Sequence, residues 1–417
     1  MRKIHKHIIV ITAIAALLAL YACAADEVVS PNVTPDQPES QPPSPTVAPA
    51  ETPDLFIVAD PEPEKTPEEL VQIKLNEIID SMTLHDKICQ MLIVSPDDMT
   101  GVTGTTVVGE QTWNALDKYP VGGFIHFAQN ISGGAQITSF NSALQDFSKI
   151  PMFIAVDEEG GRVTRLGKLG VHSVKAMLRY EEDGEETAFE NAVTLSQVLK
   201  EHGFNTNFAP VADVWSNRSN TVIGDRAFST DFELAAQLVA AAVRGYRESG
   251  VACSLKHFPG HGNTREDSHH STAYINKPLD ELHEEEFKPF IAGIAAGADM
   301  VMTGHLIVPE LDELPATLSK VLLTNILRKE LGFKGVIITD SMAMSAVSQH
   351  FSVDYVAVTA VQAGVDIILM PIDIEETIAA LVNAVENGEI SERRINESVR
   401  RIILLKISMG LIYVPHP

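Results

Sequence analysis

The chain has 417 residues, 45% of them apolar and 21% charged, which is a composition typical of globular proteins. It carries 56 Asp and Glu residues against 31 Lys and Arg residues, for a formal net charge of −25. So acidic a balance provides no electrostatic footprint for nucleic acid, and we expect no nucleic-acid partner. The length alone allows one large domain or two or three smaller ones.

The first predicted element is a targeting segment at the N-terminus. Basic residues precede an apolar stretch over residues 8–20, which is too short to span a bilayer as a helix. The stretch ends in Leu-Tyr-Ala-Cys, which resembles the bacterial lipobox, where the cysteine becomes the lipidated first residue of the mature protein. We therefore predict a lipoprotein signal peptide over residues 1–22 and a lipid on Cys23; an ordinary cleaved signal peptide is the alternative.

Residues 23–67 are predicted to form a disordered, Pro-rich linker behind the lipid anchor. The segment is rich in Pro, Ser, Thr, Asp and Glu, so it cannot bury enough apolar surface to offset the entropy of ordering. At about 3.1 Å per residue in a polyproline-like form, it would reach on the order of 100 Å. Together with the signal, this predicts an extracytoplasmic protein that is lipid-anchored to the bacterial cell membrane.

Eight short apolar runs alternate with amphipathic stretches over residues 68–417. They are residues 89–95, 121–127, 151–157, 205–211, 251–257, 299–305, 335–340 and 365–371. Continuous apolar runs of this length suit strands that are covered on both faces, as in parallel sheets. Eight units of a strand followed by a helix favour an α/β fold with a single (β/α)8 TIM-type barrel over a doubly wound sheet.

The stretches between the runs predict helices with identifiable ends. Thr230 and Glu233 predict a capping box at the start of one helix, and Gly250 predicts its end. Gly203 and Gly332 are expected to end two other helices in the same way, because glycine readily adopts the left-handed conformation found there.

Four of the apolar runs end in polar or charged residues. They are Asp157, Lys256 with His257, His305, and Asp340. The C-terminal ends of barrel strands meet at one rim, where such enzymes build their sites. The sequence therefore predicts one shared pocket from residues that lie far apart in the chain.

The loop over residues 256–270, KHFPGHGNTREDSHH, concentrates titratable groups. It carries a cation, four histidines and an Asp-Ser-His triplet between glycine and proline breaks. Core packing does not call for so many imidazoles in a glycine-rich loop, and chemistry is commonly placed on loops that a rigid strand holds. We predict a functional site here.

Two other readings of this loop remain open. His257 and His261 have the spacing of metal ligands on a helix, and Asp267, His269 and His270 are further candidates. The proline and glycines near the two histidines argue against a regular helix. A glycine-rich turn beside Lys256 could also cradle an anion. No GK[ST] motif follows, which argues against nucleotide binding.

Taken together, these motifs resemble glycoside hydrolase family 3, and within it the β-N-acetylhexosaminidase branch. The similarity covers residues 68–411 in the family's order. Its blocks are MTLHDKICQM, VGGFIHFAQN, IAVDEEGGRVTRL, NFAPVADV, GDRAF, KHFPGHGNTREDSH, MTGH, PATLS and GVIITDSMAM. The resemblance implies a barrel, hydrolysis with retention of configuration, and no cofactor or metal.

The resemblance also implies roles for catalytic residues. Asp340 matches the nucleophile, a carboxylate that stabilises a positively charged transition state and forms a glycosyl ester; a helix N-cap is the alternative role. His269 matches the general acid/base, paired with Asp267, since an adjacent carboxylate favours the protonated imidazole that an acid needs. Branch members often have a second Asp after the nucleophile, where this chain has Ser341.

Sugar recognition is expected from five residues that match the family's blocks: Asp157, Arg165, Arg226, Lys256 and His257. Sugar hydroxyls need donors and acceptors, and charged partners make the stronger hydrogen bonds. For Arg165 a salt bridge within the barrel is the alternative.

Two further residues are expected to support this site from behind. Arg162 and Glu158 are predicted to pair with each other and fix the Glu-Gly-Gly turn.

The predicted function is that of a retaining exo-β-N-acetylglucosaminidase acting on a carbohydrate partner. It would remove terminal GlcNAc from peptidoglycan-derived or chitin-type glycans through a covalent glycosyl-enzyme intermediate. A phosphorylase is an alternative, because a His-Asp acid/base brings less negative charge than a carboxylate and would tolerate an attacking phosphate. A β-glucosidase-type family member is another. The non-enzymatic alternative is a lipid-anchored sugar-binding protein.

Overall fold

The computed structural model describes residues 65–169, 174–265 and 273–415. These ranges leave out the predicted signal peptide, Cys23 and all but the last three residues of the predicted linker. Those features therefore stay predictions. Within the described ranges, every helix is too short or too polar to cross a membrane.

Eight parallel strands, named β1 to β8 in chain order, form the centre of the fold. They are Leu92–Val94, Gly123–His126, Phe153–Val156, Thr206–Asn207, Ala252–Phe258, Met300–Thr303, Val336–Thr339 and Ile368–Leu369. Each lies inside one predicted apolar run or overlaps it, and neighbours in sequence are neighbours in the sheet, with β8 beside β1. A parallel bridge between Ile338 and Ile367 links β7 to β8, so the sheet nearly closes into a barrel. The predicted barrel is confirmed.

Burial on both faces explains why these strands are continuously apolar. Every residue of β3, β6 and β7 is buried, whichever way its side chain points. One set of side chains fills the barrel, and the other packs under the surrounding helices. The alternating pattern of a half-exposed strand is therefore absent from the sequence of these elements.

Helices surround the sheet. The α-helices are Pro67–Ser81, Leu84–Gln90, Pro96–Thr100, Glu110–Lys118, Gly134–Phe147, Tyr180–Glu201, Phe232–Ser249, Leu279–Glu284, Phe287–Ala295, Ser345–Ser348, Val353–Ala363, Ile374–Glu386 and Glu392–Ser408. The segment Val321–Glu330 is π-helical. Short 3-10 turns span Ala128–Asn130, Leu166–Leu169, Met177–Arg179, Gly224–Arg226 and Ala316–Leu318. A small parallel pair, Ala273–Tyr274 with Leu306–Ile307, lies apart from the main sheet.

The helix predicted to begin at a Thr230–Glu233 capping box begins one residue later. Asp231 is the N-cap of Phe232–Ser249, and its side chain accepts a hydrogen bond from the Leu234 amide at 2.8 Å. The amide of Thr230 instead donates to Glu181 of a neighbouring helix. Both Thr and Asp are good N-caps, and this tertiary contact decides between them.

The predicted helix ends are confirmed. Gly250 directly follows its helix with a φ of 70°, and Gly203 and Gly332 follow theirs by one further residue with φ values of 78° and 71°. These left-handed values are where glycine is favoured over other residues.

Candidate active site

A cavity of about 610 Å³ opens at the C-terminal ends of the strands. Six of the predicted site residues line it: Asp157, Arg165, Arg226, Lys256, His257 and Asp340. These residues come from four strands or the loops after them, those of β3, β4, β5 and β7, and closing the sheet brings them together. Glu159, Arg162 and Phe127 also line this cavity.

Lys256 on β5 lies between two carboxylates that follow β3. Its Nζ is 2.7 Å from Asp157 Oδ1 and 2.6 Å from Glu159 Oε1, and its side chain is only 3% exposed. Burial disfavours the ammonium, but the two carboxylates outweigh it and raise the pKa of Lys256 above its usual value. The residue is therefore a fixed cation at the base of the cavity.

Glu159 joins Lys256 to Arg226. Arg226 donates to both carboxylate oxygens of Glu159, through Nε at 2.8 Å and Nη2 at 2.9 Å. Burial would raise the pKa of Glu159, but the charges of Lys256 and Arg226 hold it far below its usual range. Glu159 has no role among the sequence-based predictions; the available signal was its position two residues after Asp157, at the end of a buried strand.

The predicted pairing of Arg162 with Glu158 is wrong. Glu158 points into its own turn, where Oε2 accepts hydrogen bonds from the amides of Arg165 and Leu166 at 2.7 and 3.0 Å. Burial raises the pKa of Glu158 above its usual value, although these hydrogen bonds act to lower it.

Arg162 reaches another loop instead, and its side chain is about half exposed. It forms a 3.0 Å ion pair with Asp225 and donates to the carbonyls of residues 221–223. Arg162 thus fixes the segment that carries Arg226, and Glu158 fixes the one that carries Arg165.

Arg165 lines the cavity and forms no ion pair within the described ranges. Its guanidinium carbon lies 6.0 Å from the centre of the Phe127 ring, and its buried Nε has no hydrogen-bond partner. The alternative of a salt bridge within the barrel is therefore not observed. A buried donor left unpaired is costly, and a ligand oxygen in the cavity would satisfy it.

His257 is oriented by Asp213, a buried carboxylate. Nδ1 of His257 lies 2.7 Å from Asp213 Oδ2. Because a carboxylate only accepts, Nδ1 carries the proton, and Nε2 is the ring atom left to meet a ligand. Asp213 Oδ1 also accepts from the amides of His257 and His261, at 3.1 and 2.6 Å. Burial would raise the pKa of Asp213, but the neighbouring histidine charge and these hydrogen bonds keep it below its usual value.

Three candidate ligands of the metal reading, Asp267, His269 and His270, lie outside the described residues, so that reading stays an alternative. His261 Nδ1 lies 2.8 Å from the Thr264 hydroxyl, and burial lowers the pKa of His261 to about 4. Nowhere in the described ranges do three or more His, Cys, Asp or Glu side chains form a group able to hold a metal ion.

Asp340 follows β7 at the mouth of the cavity and is partly exposed. Its amide donates to the Thr303 carbonyl at 3.0 Å, and its Oδ1 accepts from the Ser341 amide at 2.7 Å. The next helix, Ser345–Ser348, has Met344 as its N-cap, so Asp340 does not cap it. The carboxylate is therefore held in place at the cavity wall.

His305, at the end of β6, supports the peptide after Asp340 from behind. It is fully buried, with Nε2 2.9 Å from the Ser341 carbonyl and Nδ1 2.9 Å from the Thr317 hydroxyl. Nε2 must donate to this carbonyl, because a carbonyl oxygen only accepts. His305 does not line the cavity, which differs from the expectation that all four polar strand ends would do so.

Asp267 and His269 lie outside the described residues, between Arg265 and Ala273. Their pairing and their position relative to Asp340 remain predictions. The described part of the cavity combines one held carboxylate at its mouth with charged donors and acceptors at its base. This arrangement suits a polyhydroxylated ligand, whose hydroxyls both donate and accept.

The chain is similar to known proteins over most of its described residues. The model of the glycosyl hydrolase family 3 N-terminal domain matches residues 83–405. Beta-hexosaminidase A of Pseudoalteromonas piscicida is 35% identical over 325 residues, which are 70% of this chain and 54% of that protein. A beta-hexosaminidase of Xylella fastidiosa is 38% identical over 281 residues, 65% of this chain and 82% of the relative.

A solved structure is similar to this chain in fold and in sequence. The family 3 beta-N-acetylglucosaminidase of Paenibacillus sp. superposes with a TM-score of 0.74 at 37% identity, covering 79% of this chain and 63% of that one. The chain thus spans about half the length of the Pseudoalteromonas relative and less than two thirds of the Paenibacillus chain.

Proposed function

Because the chain belongs to glycosyl hydrolase family 3, we propose that it is a retaining exo-β-N-acetylglucosaminidase. Its substrates are glycans with a terminal GlcNAc, of peptidoglycan or chitin type. The observation that carries the proposal is Asp340, a held and partly exposed carboxylate that shares a cavity with Asp157, Lys256 and His257. The beta-hexosaminidase names of the relatives support the choice of sugar.

The reaction proceeds in two displacements. An oxygen of Asp340 attacks the anomeric carbon while the bond to the leaving oxygen breaks, and His269 gives that oxygen its proton. The product of this step is a glycosyl ester on Asp340. His269 then removes a proton from water, the water oxygen attacks the anomeric carbon, and the carboxylate leaves with the electron pair of the ester bond.

The base of the cavity binds the sugar that reacts. Asp157 accepts hydrogen bonds from sugar hydroxyls, and Lys256 and Arg165 donate to them. The network through Glu159 keeps Lys256 and Arg226 from moving, so little ordering entropy is lost on binding. His257, with its proton fixed on Nδ1, presents Nε2 to the ligand.

A panel of aryl β-glycosides tests the proposal. GlcNAc should be released at least about a hundredfold faster than glucose or xylose, since sites built to hydrogen-bond a group reject analogues that lack it. Asp340→Ala should abolish turnover while the circular dichroism spectrum stays that of the folded wild type. Retention of the wild-type rate by this variant would show that the nucleophile is assigned wrongly.

The acid/base role needs its own comparison. His269→Ala should slow turnover strongly for substrates with poor leaving groups and less for aryl groups that leave without a proton. Equal losses on both substrate types would argue against an acid role. Products should also be analysed with and without phosphate, because accumulation of sugar 1-phosphate would make the enzyme a phosphorylase.

We further propose that the protein is a lipoprotein attached to the outer face of the bacterial cell membrane through Cys23. The lipobox-like end of the apolar stretch and the Pro-rich segment behind it support this. Fractionation of cells expressing the wild type and Cys23→Ala should show activity moving from the membrane to the soluble fraction in the variant. An unchanged distribution would refute the anchor.

A further inference from the structure

A second cavity, of about 560 Å³, lies at the opposite end of the barrel from the candidate active site. Its walls come from the π-helical segment Val321–Glu330, from helix Glu392–Ser408, and from the residues that precede β7 and β8. We call it the basic cavity.

The charged lining of the basic cavity is almost entirely cationic. Seven Lys and Arg side chains line it against one acidic side chain, Glu397. This is the reverse of the whole chain, in which 56 acidic residues outnumber 31 basic ones. Such a local excess of one sign creates a potential that attracts the opposite charge.

Three of the arginines crowd around a single buried carboxylate. Asp366 is fully buried; it contacts Arg328 directly and lies 3.0 Å from Arg401 and 3.7 Å from Arg394. One carboxylate neutralises one guanidinium, so positive charge remains. Consistent with this, burial lowers the pKa of Arg328 to about 10, with Arg401 and Arg394 adding to the effect and Asp366 opposing it.

Lysines with no ion pair add to this charge at the cavity wall. Within the described chain, Lys320, Lys329 and Lys334 form no ion pair, and all three side chains are exposed. Among the described residues, Arg401 hydrogen-bonds through Nη1 only, to Asp366 and to the Glu397 carbonyl. Its Nε and Nη2 and the three ammonium groups are donors that a ligand could take.

Helix ends explain only part of this cluster. Arg328 and Lys329 lie in the last turn of Val321–Glu330, where cations interact favourably with the helix dipole. Lys320 lies at the other end of the same helix, where a cation is unfavourable. The helix dipole therefore does not explain the presence of a cation at the N-terminal end.

We propose that the basic cavity binds a phosphate group. Guanidinium forks and ammonium groups are the side chains that hold phosphate oxygens, and several unneutralised cations favour an anion that carries more than one charge. The cavity is larger than phosphate alone requires and has the size of a small-ligand site, so an attached sugar or glycerol also fits. The site is separate from the proposed glycosidase chemistry and does not depend on it.

Thermal unfolding of the full chain tests this, with phosphate compared against chloride at equal ionic strength. Saturating GlcNAc is present throughout, so that phosphate cannot act through the candidate active site. Phosphate at about a hundred times its Kd should raise the Tm of the wild type by about 4 °C. In the double variant Lys329→Gln, Lys334→Gln, phosphate affinity should fall at least about tenfold.

A matched control removes the same charge elsewhere. The double variant Lys65→Gln, Lys149→Gln alters two exposed lysines outside the cavity and should keep the wild-type response to phosphate. Both double variants should keep the wild-type kcat on aryl substrates.

The proposal is overturned if phosphate leaves the wild-type Tm unchanged, or if both double variants lose the response equally. It is also overturned if Lys329→Gln, Lys334→Gln lowers the Tm in chloride but responds to phosphate like the wild type, since the lysines then serve only the helix end. Glycerol 1-phosphate distinguishes the source of the group: tighter binding than inorganic phosphate indicates a phosphate ester, and equal binding indicates free phosphate.

Discussion

Replacement of Glu159 by Gln should be the most destabilising conservative change in the candidate active site. Glu159 Oε1 lies 2.6 Å from Lys256 Nζ, and both its oxygens accept from Arg226. At an effective dielectric constant of about 20, one such contact between unit charges corresponds to about 6 kcal/mol of gross attraction. Desolvation and the remaining Asp157 contact reduce the net effect, so Glu159→Gln should lower the free energy of unfolding by about 3–5 kcal/mol at pH 7.

The pH dependence of this loss follows from the lowered pKa of Glu159. A carboxyl whose pKa is lowered by folding stabilises the folded state above its unfolded pKa, and that stabilisation is lost as the pH falls below it. The difference between wild type and Glu159→Gln should therefore be full at pH 7 and shrink by about 1.4 kcal/mol for each pH unit below about 4.3. Urea unfolding followed by circular dichroism at pH 7 and pH 3.5 measures both values.

Asp225→Asn is the matched control for this experiment. Asp225 pairs with Arg162 at 3.0 Å, but both side chains are about half exposed. Exposed pairs contribute at most about 1 kcal/mol, so this variant should differ little from the wild type. If Glu159→Gln costs no more than Asp225→Asn, or if its cost does not change with pH, the reasoning about the buried network is refuted.

Three further changes have distinct expected outcomes. Arg165→Met should raise the KM for aryl GlcNAc substrates about tenfold or more. It should change the free energy of unfolding by less than about 1 kcal/mol, because the side chain has no ion pair within the described ranges. An unchanged KM would remove Arg165 from the binding site. Asp213→Asn should lower kcat/KM about tenfold or more, because the carboxylate that holds the proton of His257 on Nδ1 is lost. A wild-type kcat/KM would contradict this orienting role of Asp213. Lys406→Met should raise the free energy of unfolding by about 2 kcal/mol at pH 6 and by less at pH 9. Burial lowers the pKa of Lys406 to about 7, so the folded state binds the ammonium proton less tightly than the unfolded state does. A gain in stability that does not depend on pH would contradict this.

The barrel could be predicted from the sequence because burial on both faces leaves a local mark. Each strand is a short apolar run, and each run is followed by an amphipathic stretch. Helix starts were harder to place, because Thr230 and Asp231 are both good caps. The contact of Thr230 with Glu181, 49 residues away, decides between them.

The candidate site was predictable where a residue matches a motif and unpredictable where its role depends on a distant partner. Glu159 meets Arg226 across 67 residues, and Asp213 meets His257 across 44. Nothing local indicates that these particular groups face each other. The same is true of Arg162, which looks like a partner for Glu158 in sequence but reaches Asp225 on another loop.

Identification of the carboxylate that becomes glycosylated tests the central claim most directly. The protein is treated with a fluorinated N-acetylglucosaminyl donor whose ester intermediate hydrolyses slowly, then digested and analysed by mass spectrometry. We predict one added sugar per chain, on the peptide that contains Asp340. A stable adduct on Asp157 or Glu159 instead, or steady turnover of the donor with no ester at all, would contradict the account.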